Sequence, residues 1–371
     1  MTVSVSVSTP SALRTPAALA NYVSEAATGG LEILCLYLGD RLGFYQALDC
    51  DGPATANDLA QRAGSSERYT REWLEQQATA GFLACANPES SPEERSYALP
   101  AGYREVLLAP DSLLLAAPSA QLFVSLASTL PDLMQAFRTG AGVPFDRYGP
   151  DMREGQARST FPSFQHELAQ VWIAAMPDIV ARMHADPPAK IADIGMGLGW
   201  SSIALARAYP RARVDGFDLD EASVIAAREN ARQAGPEIAS RVQFHLRDAG
   251  DPDFAGQYDL ALAIECLHDM SNPVAALIAM RRLVGPGGTV LIVDERVHDA
   301  FTPNGGAVER SMYGYSVLHC LPVSMVEQPS SATGTVMRRA TFHAYAEQAG
   351  FAAIDELPIE HETFRFYRLT A

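Results

Sequence analysis

The stretch Ile191-Ala192-Asp193-Ile194-Gly195-Met196-Gly197-Leu198-Gly199-Trp200 is an apolar run that breaks into three alternating glycines and leads into a helical pattern over 201–209. A short apolar run reads as a buried strand, and glycines let the backbone turn tightly and approach a ligand with no Cβ in the way. Strand, glycine turn and helix form the opening unit of a doubly wound α/β sheet. Downstream, the patterns alternate: Arg213 to Asp218, a helix over 221–234, Val242 to Leu246, Tyr258 to Ile264, a helix over 272–284, and Thr289 to Val293. Such alternation predicts a mostly parallel sheet with helices on both faces. An irregular segment, 296–334, a helix over 335–349 and two last strand candidates near 352–358 and 362–369 complete the region.

Upstream, Asp186-Pro187-Pro188 marks a boundary. We read residues 1–20 as a frayed tail, 21–185 as a mainly helical domain and 186–371 as the sheet domain. Leu31, Leu34, Leu38 and Leu42 recur at helical spacing, with Gly43 as a stop. Helices over 55–63 and 66–80 follow, the second turning Trp73, Leu74, Gln77 and Ala78 inward, and then two strands, 82–84 and 97–99, flank a polar loop. Helix, turn, helix and β-wing is a winged-helix order, whose DNA-binding form needs a basic reading helix. Here Arg68 and Arg71 stand among Glu67, Glu72 and Glu75, and the wing sets Arg95 against Glu89, Glu93 and Glu94. Nucleic acid is therefore not expected, and a homodimerisation module is.

The 371 residues carry 28 basic and 44 acidic side chains, a net charge of -16, with Lys190 the single lysine. That field repels phosphate backbones and anionic membranes. The five cysteines show no CxxC pair, which suits reduced thiols in a cytoplasmic protein. Met1 to Pro10 lacks the basic and apolar regions of a signal peptide. The most apolar long stretch, Leu113 to Leu130, is interrupted by Pro118 and several polar residues, so it reads as core helix rather than membrane span.

Asp218 lies twenty-three residues past Gly195 at the end of the next strand, where a carboxylate accepts ribose hydroxyls. Asp248 follows the third strand, placed to accept an adenine amino group. A dinucleotide fingerprint wants a small residue where Trp200 stands. Asp193, two residues before the first glycine, would repel a pyrophosphate but suits a sulfonium with an amino acid tail. The run Asp193-x-Gly195-x-Gly197-x-Gly199, with Asp218 and Asp248 at strand ends, resembles the class I S-adenosylmethionine-dependent methyltransferases over about 185 residues. The resemblance implies a seven-stranded sheet, S-adenosylmethionine as cofactor, and Leu219, Ala249 and Glu265 as further cofactor contacts; Glu265 alternatively only ends its strand.

The fourth strand leads into Glu265-Cys266-Leu267-His268-Asp269-Met270-Ser271-Asn272-Pro273 at the sheet's ligand-binding edge. This run resembles the His-Asp stretch of O-methyltransferases with an N-terminal winged-helix dimerisation domain, which implies His268 as general base with Asp269 beside it. Met270 and Asn272 stand where that group usually has tryptophan and a second aspartate. The His-Asp pair with a later histidine, His319, is also similar to the metal-dependent 2-oxo acid C-methyltransferases, implying His268, Asp269 and His319 as ligands. Two histidines and a carboxylate accept iron, zinc, nickel or cobalt, whose Lewis acidity would generate a carbon nucleophile. Arg310, Tyr313 and Tyr315, in the segment expected to cap the site, are candidates for holding a small-molecule acceptor. A regulator that senses S-adenosylmethionine is the alternative of another class.

Overall fold

Thr15 caps the first helix, Pro16–Arg41, by accepting the Ala18 N–H at 3.2 Å. This computed structural model describes residues 13–251, 253, 255–285 and 287–371, so the tail expected over 1–20 lies mostly outside the described residues. Where it is described it is shorter than expected, because residues 16–20 already belong to the capped helix. The leucine stripe of this helix also departs from the expected core: Leu31, Leu34 and Leu38 are 64%, 41% and 49% exposed, while Leu36 and Gly39 face inward. Gly39 is required there, since a Cβ would run into the Trp73 and Tyr45 rings.

The chain divides into two compact units, Met1–Ser125 and Leu126–Ala371. In the first, Thr55 and Asp58 form a reciprocal capping box for the helix Ala56–Ala63. The helix Glu67–Thr79 buries Trp73, Leu74 and Gln77 against Tyr45 and Leu48, and the wing reduces to β1 (Ala84–Cys85) and β2 (Tyr97–Ala98), an antiparallel pair. Arg68 pairs with Glu72, Arg71 with Glu67 and Glu93, and Arg95 with Glu75, so carboxylates of the same unit balance these cations.

The second unit holds β3 (Lys190–Ile194), β4 (Arg213–Asp218), β5 (Val242–Leu246), β6 (Leu260–Ile264), β7 (Thr289–Glu295), β8 (Ala353–Glu356) and β9 (Phe364–Thr370). They form the expected sheet in the order β5-β4-β3-β6-β7-β9-β8, with β9 antiparallel to both neighbours. β3 and β6 are nearly all buried, as strands covered on both faces must be. Leu168, Trp172, Ile173, Met176 and Met183 pack into the same core as Ile191, Val214 and Leu262. That packing explains why the unit begins at Leu126 and not near 186: helices assigned to the first domain bury their apolar faces on this sheet. The segment expected to be irregular, 296–334, contains helical stretches Ala307–Tyr315, Ser316–Cys320 and Leu321–Ser324. Among the described residues no helix is long and apolar enough to cross a membrane.

Candidate active site

β3 lies between β4 and β6, so the chain order reverses there and opens a crevice beyond the carboxyl ends of the strands. A cavity of about 660 Å³ occupies it. Eight of the nine residues expected to hold the cofactor line its wall: Asp193, Gly195, Gly197, Asp218, Leu219, Asp248, Ala249 and Glu265. Gly199 does not. Its φ of +79° and its place against the Phe244 ring, where a Cβ would approach to 2.7 Å, make it a turn and packing glycine.

The turn after β3 is pinned to β4. The Gly195 N–H donates to the Phe217 carbonyl at 2.8 Å, and the Gly197 N–H to Asp218 Oδ2 at 2.9 Å. Asp218 Oδ1 accepts the Asp220 N–H at 2.9 Å, and burial raises this carboxyl above its ordinary range despite those bonds. A Cβ on Gly195 would lie 2.7 Å from Cys266 Sγ, so the turn must pass the end of β6 without a side chain, while one on Gly197 would meet nothing within 4 Å. Asp193 is fully buried, its Oδ2 accepting the hydroxyls of Ser201 and Ser202 at 2.6 Å each; burial still pushes it up to about 6. Glu265 sits at φ +53°, uncommon for a residue with a Cβ, and burial pushes its carboxyl up to about 7. Three strand-end acids around an open glycine turn suit a cationic sulfonium with a ribose, so the wall fits the expected cofactor.

His268 is 3% exposed and lies behind the cavity wall. Its Nδ1 bonds Asp294 Oδ1 at 2.8 Å, and its Nε2 lies 3.4 Å from Asp269 Oδ1. Burial alone would depress this imidazole, but the carboxylates of Asp294 and Asp269 outweigh it and hold His268 well above its ordinary value. Asp269 is the member of the pair that lines the cavity. It is not the cap of the following helix: Asn272 accepts the Ala275 N–H at 3.0 Å.

Of the three residues expected as metal ligands, His268 and Asp269 are grouped with Cys320 rather than with His319. Ligand atoms of His268, Asp269 and Cys320 lie within 4.8 Å of one another. His319 is buried with its ring edge-on to Tyr148 and Phe145, its Nδ1 3.4 Å from Cys320 Sγ and its Nε2 without a hydrogen-bond partner among the described residues. The acceptor candidates also fall elsewhere. Arg310, Tyr313 and Tyr315 are absent from the cavity wall; the Tyr313 hydroxyl accepts from Arg338 Nη2 at 2.9 Å, and Tyr315 is half-buried. Residues that the sequence did not suggest take part instead. Phe145 and Arg153 line the cavity, and Arg153 makes a two-pronged bond to Asp220 at 2.6 and 2.8 Å. Asp294, next to last in β7 at the same sheet edge as the glycine turn, was findable by that edge rule; Arg153 carried no sequence signal.

Residues 191–288 match the family described as a methyltransferase domain, and residues 30–108 match the Rv2258c-like winged HTH domain. The chain carries a methyltransferase domain behind a winged-helix domain. The chain is 28% identical over 183 residues to the highly reducing polyketide synthase NEC1 of Pyricularia oryzae, covering 47% of this chain and 6% of that protein. It is 30% identical over 100 residues to a ubiquinone biosynthesis O-methyltransferase of Marinobacter nauticus, covering 27% of this chain and 41% of that one. The chain spans less than half the length of these curated relatives. Solved structures extend the likeness of fold beyond the methyltransferase domain. The mitomycin 7-O-methyltransferase MmcR aligns at TM-score 0.69 and 20% identity over 95% of this chain and 98% of its own. PigF with SAH aligns at TM-score 0.72 and 19% identity over 97% and 100%.

Proposed function

We propose that this chain is an S-adenosylmethionine-dependent O-methyltransferase acting on a small molecule. The observation that carries the reading is the cavity at the sheet's switch point, walled by the glycine turn and by Asp218 and Asp248 at successive strand ends. Asp218, Leu219, Asp248 and Ala249 would hold the nucleoside, and Asp193, Gly195, Gly197 and Glu265 the amino acid end. When bound, the cofactor supplies a methyl on a sulfonium, an electrophile that needs a positioned nucleophile. Asp269 faces the cavity and takes the acceptor's hydroxyl proton at its carboxylate. His268, fixed by Asp294, stands behind it as a positioning cation. The sequence pointed to His268 as the base, and its burial favours this division of roles.

A methyl-transfer assay with tritiated S-adenosylmethionine and a panel of phenols tests the reading. Label should pass to the phenolic oxygen, and Asp269→Asn should lower kcat by roughly a hundredfold or more while leaving S-adenosylhomocysteine affinity unchanged. Cofactor binding without transfer to any hydroxyl would favour a sensor of the cofactor instead.

The convergence of His268, Asp269 and Cys320 supports a second reading, a metal-assisted C-methyltransferase for 2-oxo acids. A bound iron or zinc would supply Lewis acidity there. Elemental analysis tests it: near-stoichiometric metal that disappears in Cys320→Ser favours it, and no metal after incubation with iron or zinc leaves the hydroxyl acceptor. The exposed leucines of Pro16–Arg41 support a homodimer, and the five free cysteines are in keeping with a cytoplasmic location.

A further inference from the structure

Asp218, which the proposed function sets against the ribose hydroxyls, has both of its oxygens held by backbone. Oδ2 accepts the Gly197 N–H and Oδ1 the Asp220 N–H, each at 2.9 Å. A carboxylate offers about four lone-pair sites, so about two remain for a ligand in the cavity that Asp218 lines. That is what a pair of vicinal hydroxyls requires. How the open sites point depends on the two N–H groups. The Gly197 N–H belongs to the glycine turn, itself pinned to β4 by Gly195. The Asp220 N–H belongs to the link between β4 and the helix Glu221–Gln233, and the side chain of Asp220 secures that link.

Two partners hold this side chain. One is local: Oδ2 accepts the N–H and the hydroxyl of Ser223 at 2.9 and 2.7 Å, which caps the helix. The other lies sixty-seven residues earlier in the chain. Arg153, on the helix Gly149–His166, donates from Nε to Oδ2 at 2.6 Å and from Nη2 to Oδ1 at 2.8 Å. The pair is largely desolvated, with side chains 14% and 15% exposed, and the guanidinium lies 5.4 Å from the centre of the Phe145 ring. A planar fork on a carboxylate fixes orientation as well as distance, which a point charge does not. The cap uses Oδ2, and the fork adds Oδ1, so the carboxylate is fixed about its own axis. The same guanidinium offsets the repulsion between the neighbouring carboxylates of Asp218 and Asp220.

We propose that Arg153 is a positioning residue for the cofactor: by clamping Asp220 it sets the Asp220 N–H, and through it the Asp218 carboxylate, in the orientation that accepts both ribose hydroxyls. The inference rests on the methyltransferase reading and deepens it by adding a residue that acts on the ribose through two others.

S-adenosylhomocysteine and its 2′,3′-dideoxy analogue, each titrated calorimetrically into the full-length protein and its Arg153→Met variant, test it. The native protein should prefer the hydroxylated ligand by roughly a hundredfold, since two hydrogen bonds to a charged group are at stake. Arg153→Met should bind that ligand roughly tenfold more weakly and the dideoxy analogue within about twofold of the native value, so that the loss falls on the hydroxyls alone. Arg153→Lys keeps the charge without the fork and should fall between; it stands in for Arg153→Met if that variant does not fold. Asp220→Asn retains the helix cap, and combining it with Arg153→Met should cost no more than the larger single loss, because both changes open one clamp. Equal weakening of both ligands, an undiminished preference for the hydroxylated one, or additive losses in the double variant would overturn the proposal. Failure of the native protein to bind S-adenosylhomocysteine, or native binding indifferent to the hydroxyls, would instead strike the cofactor reading, and the proposal with it.

Discussion

Asp193 shows how one side chain can be legible by position and still behave in a way only packing reveals. The sequence placed an acid beside the glycine turn, and the structure buries it beneath two serine hydroxyls. Burial lifts it from 3.8 to about 6, so the folded state binds its proton more tightly than the unfolded chain. Its contribution to stability is therefore fully present below about pH 4 and is lost as pH rises through about 6. Asp193→Asn keeps an oxygen to accept both serines and removes the buried charge. Above pH 7 this variant should be more stable than the native protein by on the order of 3 kcal/mol, with the difference vanishing near pH 4. Urea unfolding midpoints at pH 4.5 and 7.5 check this; equal gains at both pH values would show that the group is not titrating. His268 makes the converse point. Its type and place at the strand end were readable, but its partner Asp294 lies twenty-six residues on, and which of the His-Asp pair faces the cavity is a matter of tertiary geometry.

Among the elements, the parallel strands were plain because each is a short apolar run ending in a turn signal, and β3 to β7 fall within two residues of expectation. The glycine turn was equally plain, although its three glycines do different work. Gly199 is left-handed and pressed on Phe244, so Gly199→Ala should destabilise the fold by about 1–3 kcal/mol. Thermal unfolding measures that loss, and an unchanged midpoint would mean that Phe244 yields without penalty. The cap segment was opaque for a physical reason. Pro303, Gly305, Gly306, Pro322 and Pro329 punctuate it like a loop, and its short helices are fixed by contacts such as Tyr148 Oη to the Leu318 carbonyl at 2.8 Å. Arg310, Tyr313 and Tyr315 stand in that segment without any periodicity that would tell which way they point. The cavity wall from residues 144–164 had no sequence signal because its role exists only once it packs on the sheet.

For the whole molecule, the helix Pro16–Arg41 leaves an apolar stripe of leucines uncovered, which in a single chain is a standing liability. The proposed homodimer would cover it. Light scattering after gel filtration should give about twice the 39.9 kDa chain mass, and Leu31→Glu with Leu38→Glu should return the monomer. A native monomer would remove the dimer from the account. The winged helix fits that role better than a nucleic-acid one, since Arg68, Arg71 and Arg95 are already paired with carboxylates of their own unit.

The central claim is that the switch-point cavity is an S-adenosylmethionine site built on Asp218. Calorimetric titration of S-adenosylhomocysteine into the native protein and Asp218→Ala tests it most directly. One site per chain is expected in the native protein and an affinity at least a hundredfold weaker in the variant, because a buried charge-assisted acceptor of two hydroxyls is removed. Equal affinity in the two proteins, or no binding to the native one, would contradict it.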